Sequence, residues 1–323
     1  MNAIKIVEAE GKRLERWDDD VGRAVNGTIF HLRRFLEYHA DRFRDQERFL
    51  LVLDGDNVIA QLPAAVEDSA EGLRLRSPYG ASYGGFAFQR HPTFAQATRV
   101  VESLLDWLAA ERIERATVTP PIAACSVLPL DVVSFALLVA GFTSANRDIS
   151  SLVRLDQARP LLETVTSRAR NAARKAEREG VTVRERGDLD DFWLVMESTF
   201  SKHGTHPTHT QEEFRWLAEM LPDRVYADLA YHDGEPVAGV GYFVINSLVN
   251  SSFYFCQRPD RQELNGLTLC VLRGLERAQE DGFRWFDFGT STARMEPREN
   301  VFRFKEQFAS AGQFRETFEW SSR

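Results

Sequence analysis

The sequence contains no long apolar stretch. In a chain of 323 residues, the longest largely apolar run is 132–140, far short of the roughly 20 residues that a membrane-spanning helix needs. The opening residues 1–5 lead into charged sequence without the apolar core of a signal peptide. We therefore expect no transmembrane segment and a cytoplasmic location.

Cysteine is also scarce, and basic residues do not predominate. The widely spaced Cys125, Cys256 and Cys270 fit neither a disulfide framework nor a metal cluster, so we expect no metal. With 48 acidic residues against 40 lysines and arginines, the formal charge is −8. This balance argues against stable DNA binding through the overall field of the protein, and any anion site must be local.

Length and composition indicate two domains. The chain exceeds the usual size of one domain, and 43% hydrophobic residues suffice for two cores. We place the division near residue 155, giving domains 1–155 and 156–323. The second domain begins with a basic linker helix predicted over 167–179, which Gly180 ends.

Two stretches of the chain follow one plan. Each contains a strand, an Asp-Gly turn and a second strand, over 49–58 and 228–237. An amphipathic helix follows in each half, near 94–108 and 264–278, and leads into a short strand. The order of helix, hairpin, helix and strand, repeated twice, predicts an α/β fold with a mixed sheet in each half.

The most informative motif lies near the end of the chain. Residues 283–291 (FRWFDFGTS) and 302–308 (FRFKEQF) place Asp287 and Lys305 among aromatic residues. Unpaired charges are unfavourable in such surroundings, so each should meet a partner or a substrate.

This pair of motifs resembles the closing segment of the Fem-type (FemABX-like) aminoacyltransferases of the GNAT acyltransferase superfamily. In that family an F-D-F-G strand end precedes an F-K-x-x-F strand, and the likeness is greatest to exosortase-associated Fem-like proteins. The resemblance implies tandem GNAT-like domains with a cleft between them, and acyl transfer onto an amine. One departure is Ala309, where relatives commonly have glycine.

The same resemblance implies a catalytic role for Lys305, whose ammonium would steady negative charge on the reacting carbonyl or the acceptor, with Asp287 beside it. The alternatives are a structural ion pair between these two residues, or Asp287 capping backbone amides near Ser291. We also assign Tyr254 and Phe304 to substrate contact.

The linker helix carries the densest basic patch. Arg170 and Arg174 are four residues apart and so share a face with Arg178, and Lys175 lies beside them. The patch is either a phosphate site, for a nucleotide-linked acceptor or an RNA donor, or a solvated helix face. The Fem-like proteins carry a similar R-x-x-x-R-K helix here, which favours substrate binding.

Three of the seven histidines fall within 203–209. Gly204 and Pro207 break any helix that could align them on a metal, so a substrate-facing loop is favoured. In that loop we assign His203, with His206 as the alternative, as a proton acceptor and Lys202 as a substrate contact. The alternative is a polar surface loop.

A Tyr-Gly-rich stretch, 77–86, occurs in the first half. It predicts either a ligand wall containing Tyr79 and Tyr83, as in the relatives, or a tight turn between strands.

The segment 257–266 precedes the second amphipathic helix, where acetyl-CoA enzymes of the GNAT class hold pyrophosphate on backbone amides. Glu263 and Leu264 do not suit such a cradle, so acyl-CoA is disfavoured as donor. The Fem-type resemblance implies aminoacyl-tRNA as the donor instead, and both donors stay open. No bound cofactor is expected, only a donor substrate. Three functions stay open: transfer of an aminoacyl or acyl group to a small-molecule or peptide amine, acyl-CoA-dependent N-acetylation of a small amine, and non-catalytic binding of a nucleotide-sugar or peptide.

Overall fold

The chain forms two compact units. A computed structural model describes residues 4–70, 72–204 and 206–322, apart from the side chains of Lys202 and His203. The first unit consists of the residues up to Asp148 together with those from Phe314 onward, whereas the second unit is Ile149–Gln313. The division thus falls inside a strand rather than at residue 155, and the end of the chain returns to the first unit, which no local sequence pattern indicates.

The first unit combines a mixed sheet with short helices and one long helix. Its strands are β1 (Ile4–Glu8), β2 (Glu47–Asp54), β3 (Asn57–Ser69), β4 (Gly72–Ser77), β5 (Ala87–Phe88), β6 (Arg115–Val118) and the start of β7 (Thr143–Arg154). Its helices are α1 (Gly11–Glu15), α2 (Trp17–Arg23), α3 (Arg33–Leu36), α4 (Phe94–Ala110) and α5 (Asp131–Val139). The predicted hairpin and the helix and strand that follow it are confirmed as β2, β3, α4 and β6.

The second unit repeats this plan. Its helices are α6 (Leu161–Thr164), α7 (Ser167–Arg178), α8 (Leu189–His203), α9 (Gln211–Met220), α10 (Gly266–Glu280) and α11 (Glu299–Lys305). Its strands are the end of β7, β8 (Thr182–Arg184), β9 (Val225–His232), β10 (Glu235–Asn246), β11 (Val249–Gln257), β12 (Trp285–Thr290), β13 (Thr292–Ala293) and β14 (Glu296–Pro297). The last strand is β15 (Ala311–Ser321), which belongs to the first unit from Phe314. Short 3-10 turns cover Ile29–His31, Glu37–Phe43, Ala123–Cys125, Pro259–Leu264 and Glu306–Phe308.

Both units arrange five strands in the same order within the sheet. In the first unit the order is β1-β2-β3-β4-β6-β15-β7, and in the second it is β8-β9-β10-β11-β12-β7. Neighbouring strands of the two hairpins are antiparallel, whereas β4 and β6 are parallel, as are β11 and β12. In each unit the helix between the parallel strands, α4 or α10, provides the crossover that parallel pairing requires.

Local sequence explains where the principal helices begin. Thr93 accepts a hydrogen bond from the Gln96 amide, and the Gln96 side chain accepts one in return from the Thr93 amide, which caps α4. Thr166 caps α7 in a similar way through the Ala169 amide. The predicted linker helix is therefore confirmed, to within one residue at its end.

Each unit has its own apolar core. The core of the first unit is formed by α4 and α5 against the sheet, and the core of the second by α7 and α10 against theirs. The predicted inward face of α10 is confirmed at Leu267, Val271, Leu275 and Ala278. Within the described residues, no helix is both long and apolar enough to span a bilayer.

Two helical glycines give a matched test of packing. A Cβ added at Gly274 in α10 would lie 2.1 Å from the Tyr242 hydroxyl oxygen, whereas a Cβ at Gly22 in α2 would meet nothing within 4 Å. We expect Gly274→Ala to lower the free energy of unfolding by about 1–3 kcal/mol through overpacking. Gly22→Ala should raise it by about 0.5–1 kcal/mol through helix propensity. Chemical denaturation measures both.

Adding Tyr242→Phe to Gly274→Ala should recover part of the stability, because it removes the oxygen that the new methyl group meets. An unchanged stability for Gly274→Ala alone would contradict the tight approach of α10 to β10.

Candidate active site

The candidate site lies where β11 and β12 separate. These strands pair in parallel only from Val249 with Trp285 to Ser251 with Asp287. Beyond this point β11 continues to Gln257, while β12 turns at Gly289. Phe286 and Phe288 anchor β12 in the core of the second unit. Among the described residues, the end of β12 after Asp287 is therefore no longer paired with β11.

Asp287 organises this strand end. Its side chain is 2% exposed, and its Oδ1 accepts a hydrogen bond from the Gly289 amide at 2.8 Å. Gly289 has a φ of +70°, a conformation that glycine adopts without strain. The Ser251 hydroxyl donates to the Asp287 carbonyl oxygen at 2.9 Å. The capping alternative for Asp287 is therefore observed, at Gly289 rather than near Ser291.

Lys305 reaches the same strand end from α11. Its side chain is buried, and Nζ donates to the carbonyl oxygens of Gly289 at 2.9 Å and Thr290 at 2.8 Å. An ammonium carries three N–H groups, so one is left for a further acceptor after these two bonds. Lys305 is therefore buried and has partners, as expected of a charge among aromatic residues.

Burial lowers the pKa of Lys305 from 10.5 to about 8. The negative charge of Asp287 opposes this shift, whereas the positive charge of Arg298 adds to it. A group that titrates close to neutral pH, held by fixed hydrogen bonds at a strand end, is typical of functional sites. At pH 7 the side chain remains mostly protonated and can donate.

The segment around Lys305 is helical, so the predicted F-K-x-x-F strand is wrong. Residues Glu299–Lys305 form α11, and the turn Glu306–Phe308 extends it. Phe304 and Phe308, four residues apart, pack together with ring centroids 5.5 Å apart, and Phe304 also meets Phe255 at 5.8 Å. The alternation of Phe302 and Phe304 favours a strand, but the four-residue spacing of Phe304 and Phe308 governs the packing.

Ala309 ends this helical segment. Its φ is +59°, in the left-handed region where glycine is normally found. The departure from the Fem-type pattern noted at this position therefore falls on a helix C-cap and leaves Lys305 unaffected.

Three predicted substrate-site residues lie outside the end of β12: Tyr254 in β11, and Lys202 and His203 at the end of α8. Tyr254 is buried, and its hydroxyl oxygen lies 2.7 Å from Nδ1 of His209 and accepts from the His209 amide. Burial raises the pKa of Tyr254 to about 12. The side chains of Lys202 and His203 lie outside the described residues. Substrate contact by Tyr254 and Phe304 remains a prediction.

The basic helix α7 directs two of its cations to the protein itself. Arg170 donates to the carbonyl oxygens of Leu162 and Val165, and Lys175 donates to that of Glu263 at 3.0 Å. Arg174 is exposed to solvent. Arg168 and Arg178 are exposed as well, so three guanidinium groups of this helix remain available to a ligand.

Tyr79 and Tyr83 are packed inside the first unit. Their side chains are 1% and 2% exposed. The Tyr79 ring packs edge-on to Phe43, and the guanidinium of Arg315 lies 4.9 Å from the Tyr83 ring centroid. A ligand wall formed by these tyrosines stays a prediction, and in the described structure their rings fill the core.

Sequence reasoning missed the partners that define the site. These are the carbonyl groups of Gly289 and Thr290, the Ser251 hydroxyl, and Arg298. The only signal was the G-T-S-T run that begins at the end of β12, because small residues leave the backbone of a strand end accessible.

The sequence of the second unit matches a known protein family. Residues 164–306 match the family model described as Acetyltransferase (GNAT) domain, which confirms the expectation of an acyltransferase. No curated protein matches the chain in sequence.

Solved structures share the fold of the whole chain at low identity. A structure of FemX is 12% identical, with a TM-score of 0.74, over 98% of this chain and 97% of that chain. The C-terminal DUF2156 domain of a putative lysylphosphatidylglycerol synthetase from Agrobacterium fabrum is 12% identical, with a TM-score of 0.60, over 96% and 92%. A tandem GNAT protein from the clavulanic acid biosynthesis pathway is 13% identical, with a TM-score of 0.57, over 98% of each chain. The chain therefore has the tandem GNAT fold that FemX and the clavulanic acid protein share, as its closing motifs implied, and its residues 164–306 resemble a GNAT acetyltransferase domain.

Proposed function

We propose that the protein transfers an aminoacyl or acyl group from an activated ester to an amine acceptor. The observation that carries this proposal is Lys305, a buried ammonium with two N–H groups fixed on backbone carbonyls and one left over. Such a donor is held in place before the reaction, so it can stabilise an oxyanion without reorganisation.

The chemistry divides into two steps. The neutral amine attacks the ester carbonyl, the carbon–nitrogen bond forms, and the carbonyl oxygen becomes an oxyanion that accepts a hydrogen bond from the remaining Lys305 N–H. The ester carbon–oxygen bond then breaks, the amine nitrogen loses its proton, and the departing oxygen gains one. Asp287 acts as a positioning residue, because it holds the Gly289 amide and thereby orients the carbonyl groups that bind Lys305.

For the acceptor, we propose a peptidoglycan precursor peptide or an amino sugar of an exported polysaccharide. This assignment rests on the Fem-type resemblance and on the fold shared with FemX.

For the donor, we propose aminoacyl-tRNA. The exposed Arg168, Arg174 and Arg178 of α7 supply a local cationic face for phosphates in an acidic protein. At the start of α10, by contrast, Arg258 and Arg261 both pair with Asp260, and Leu264 packs into the core. This arrangement disfavours a pyrophosphate there, so acyl-CoA is the alternative donor. Non-catalytic binding of a nucleotide-sugar or peptide is the second alternative.

Replacement of Lys305 tests the catalytic role. We expect Lys305→Met to reduce kcat about 100-fold or more, because it removes a fixed donor to the oxyanion. Lys305→Arg should retain part of the activity, since it keeps a charged donor of similar reach. Single-turnover measurement of amide formation with aminoacyl-tRNA and an amine acceptor provides the readout. Full activity in Lys305→Met, with its folding verified by thermal unfolding, would sink the mechanism.

The pH dependence gives a second test of the same group. Wild-type activity should fall as pH rises through about 8, where Lys305 loses its proton, while Lys305→Arg should stay active to higher pH. Because the folded pKa lies below the ordinary 10.5, the unfolded state holds more protons between these values. The free energy of unfolding should therefore rise with pH across that window in the wild type, and this contribution should vanish in Lys305→Met.

The α7 arginines provide a test of the donor. Replacing Arg174 and Arg178 with alanine should weaken tRNA binding and lower the slope of log K against log salt by about one for each phosphate that the variant no longer neutralises. Arg13→Ala, at an exposed arginine of α1, is the matched control and should leave that slope unchanged. Filter binding at several salt concentrations measures the effect.

An unchanged slope in the double variant, together with a large rise in the thermal unfolding midpoint on adding acetyl-CoA, would instead support the acyl-CoA alternative.

A further inference from the structure

A small cavity lies beneath α5 in the first unit. Its volume is about 50 Å³, and most of its wall is apolar. The apolar lining includes Phe86, Phe88, Ile122, Leu130, Val133 and Leu137. The cavity occupies the place after β6 and beside α5 that corresponds, in the repeated plan, to the end of β12 and α11 in the second unit. The first unit therefore has an apolar cavity at its counterpart of the Lys305 position.

One polar group in the wall is left unsatisfied. Ser126 lines the cavity and is 8% exposed, and its hydroxyl has no hydrogen-bond partner among the described residues. The other buried polar residue of the wall, Asn26, is engaged, since its amide nitrogen donates to the Phe86 carbonyl oxygen and its side-chain oxygen accepts from the Phe88 amide, each at 2.8 Å. A buried hydroxyl without a partner destabilises a fold, because its lost hydration is not replaced. A ligand that forms a hydrogen bond with it would remove this unfavourable free energy.

Size and charge restrict what can enter. A single water needs about 10–15 Å³ by a comparable measure, so the cavity admits about four non-hydrogen atoms. The ionisable side chain of its wall, Asp131, is exposed in the first turn of α5. A charged group enclosed among the apolar residues would lose its hydration without gaining a partner, so the enclosed part of a ligand must be neutral.

We propose that this cavity binds a neutral, short acyl or amide end group, which places its methyl group among the apolar side chains and forms a hydrogen bond between its oxygen and the Ser126 hydroxyl. The site belongs to the first unit alone and does not depend on the transferase mechanism. A packing defect filled only by water is the competing explanation, and it predicts no selectivity among solutes of equal size.

Acetamide is a suitable probe, with acetate as a charged analogue of the same size. In the full chain with labelled Ile, Leu and Val methyl groups, we expect acetamide to shift the Leu130, Val133 and Leu137 signals with millimolar affinity. Acetate should not shift them. Ser126→Ala should weaken acetamide binding about fivefold, the effect of removing one hydrogen bond. Ser144→Ala, at an exposed serine of β7, is the matched control and should not change it.

Two further measurements guard against misreading a failed variant. Ser134→Leu, which fills the cavity from α5, should abolish the methyl shifts. Ser126→Ala without ligand should unfold about 2–4 °C higher than the wild type, because it removes the unsatisfied hydroxyl. The proposal is overturned if acetamide shifts none of these methyl groups, if acetate binds equally well, or if Ser126→Ala binds acetamide as tightly as the wild type.

Discussion

The arrangement of the candidate site depends on one interaction, the clasp of the Lys305 ammonium on the carbonyl groups of Gly289 and Thr290. The clasp joins α11 to the end of β12 and fixes a charge in a place from which water is largely excluded. Asp287 supports it from within β12, by holding the Gly289 amide and by opposing the loss of the Lys305 proton. The hydrogen bonds that hold α11 against β12 are therefore the same ones that position the Lys305 ammonium for the proposed catalysis.

The two units show how a duplicated plan diverges. Each has a hairpin, a crossover helix, a parallel strand and a short helix after it. In the second unit this last helix brings a cation to the strand end, whereas in the first unit α5 brings Val133 and Leu137 to a cavity behind Pro120 and Pro121. The residues directly after β6 include no acid that could hold a strand end as Asp287 does, and the two prolines offer no amide hydrogen.

Much of the fold follows from the sequence. The Asp-Gly turns predict the hairpins, the spacing of apolar residues predicts α4 and α10, and the basic run predicts α7, because each pattern is local and of regular period. The strand predicted around Lys305 is wrong, because a short aromatic run fits both a strand and a helix. The true neighbours of this lysine are backbone carbonyls, which carry no signal in a sequence. The roles of Arg170 and Lys175 are equally hidden, since their acceptors lie on other segments.

The return of the chain end to the first unit has a consequence for synthesis. Strand β15 lies between β6 and β7, so the first unit lacks an inner strand until residues 314–321 have been made. During translation, the edge of β6 that β15 later covers stays unpaired until the second unit has been synthesised. The first unit therefore cannot be obtained by cutting the chain near its middle, because its sheet also needs β15, and removal of residues 314–321 would damage it.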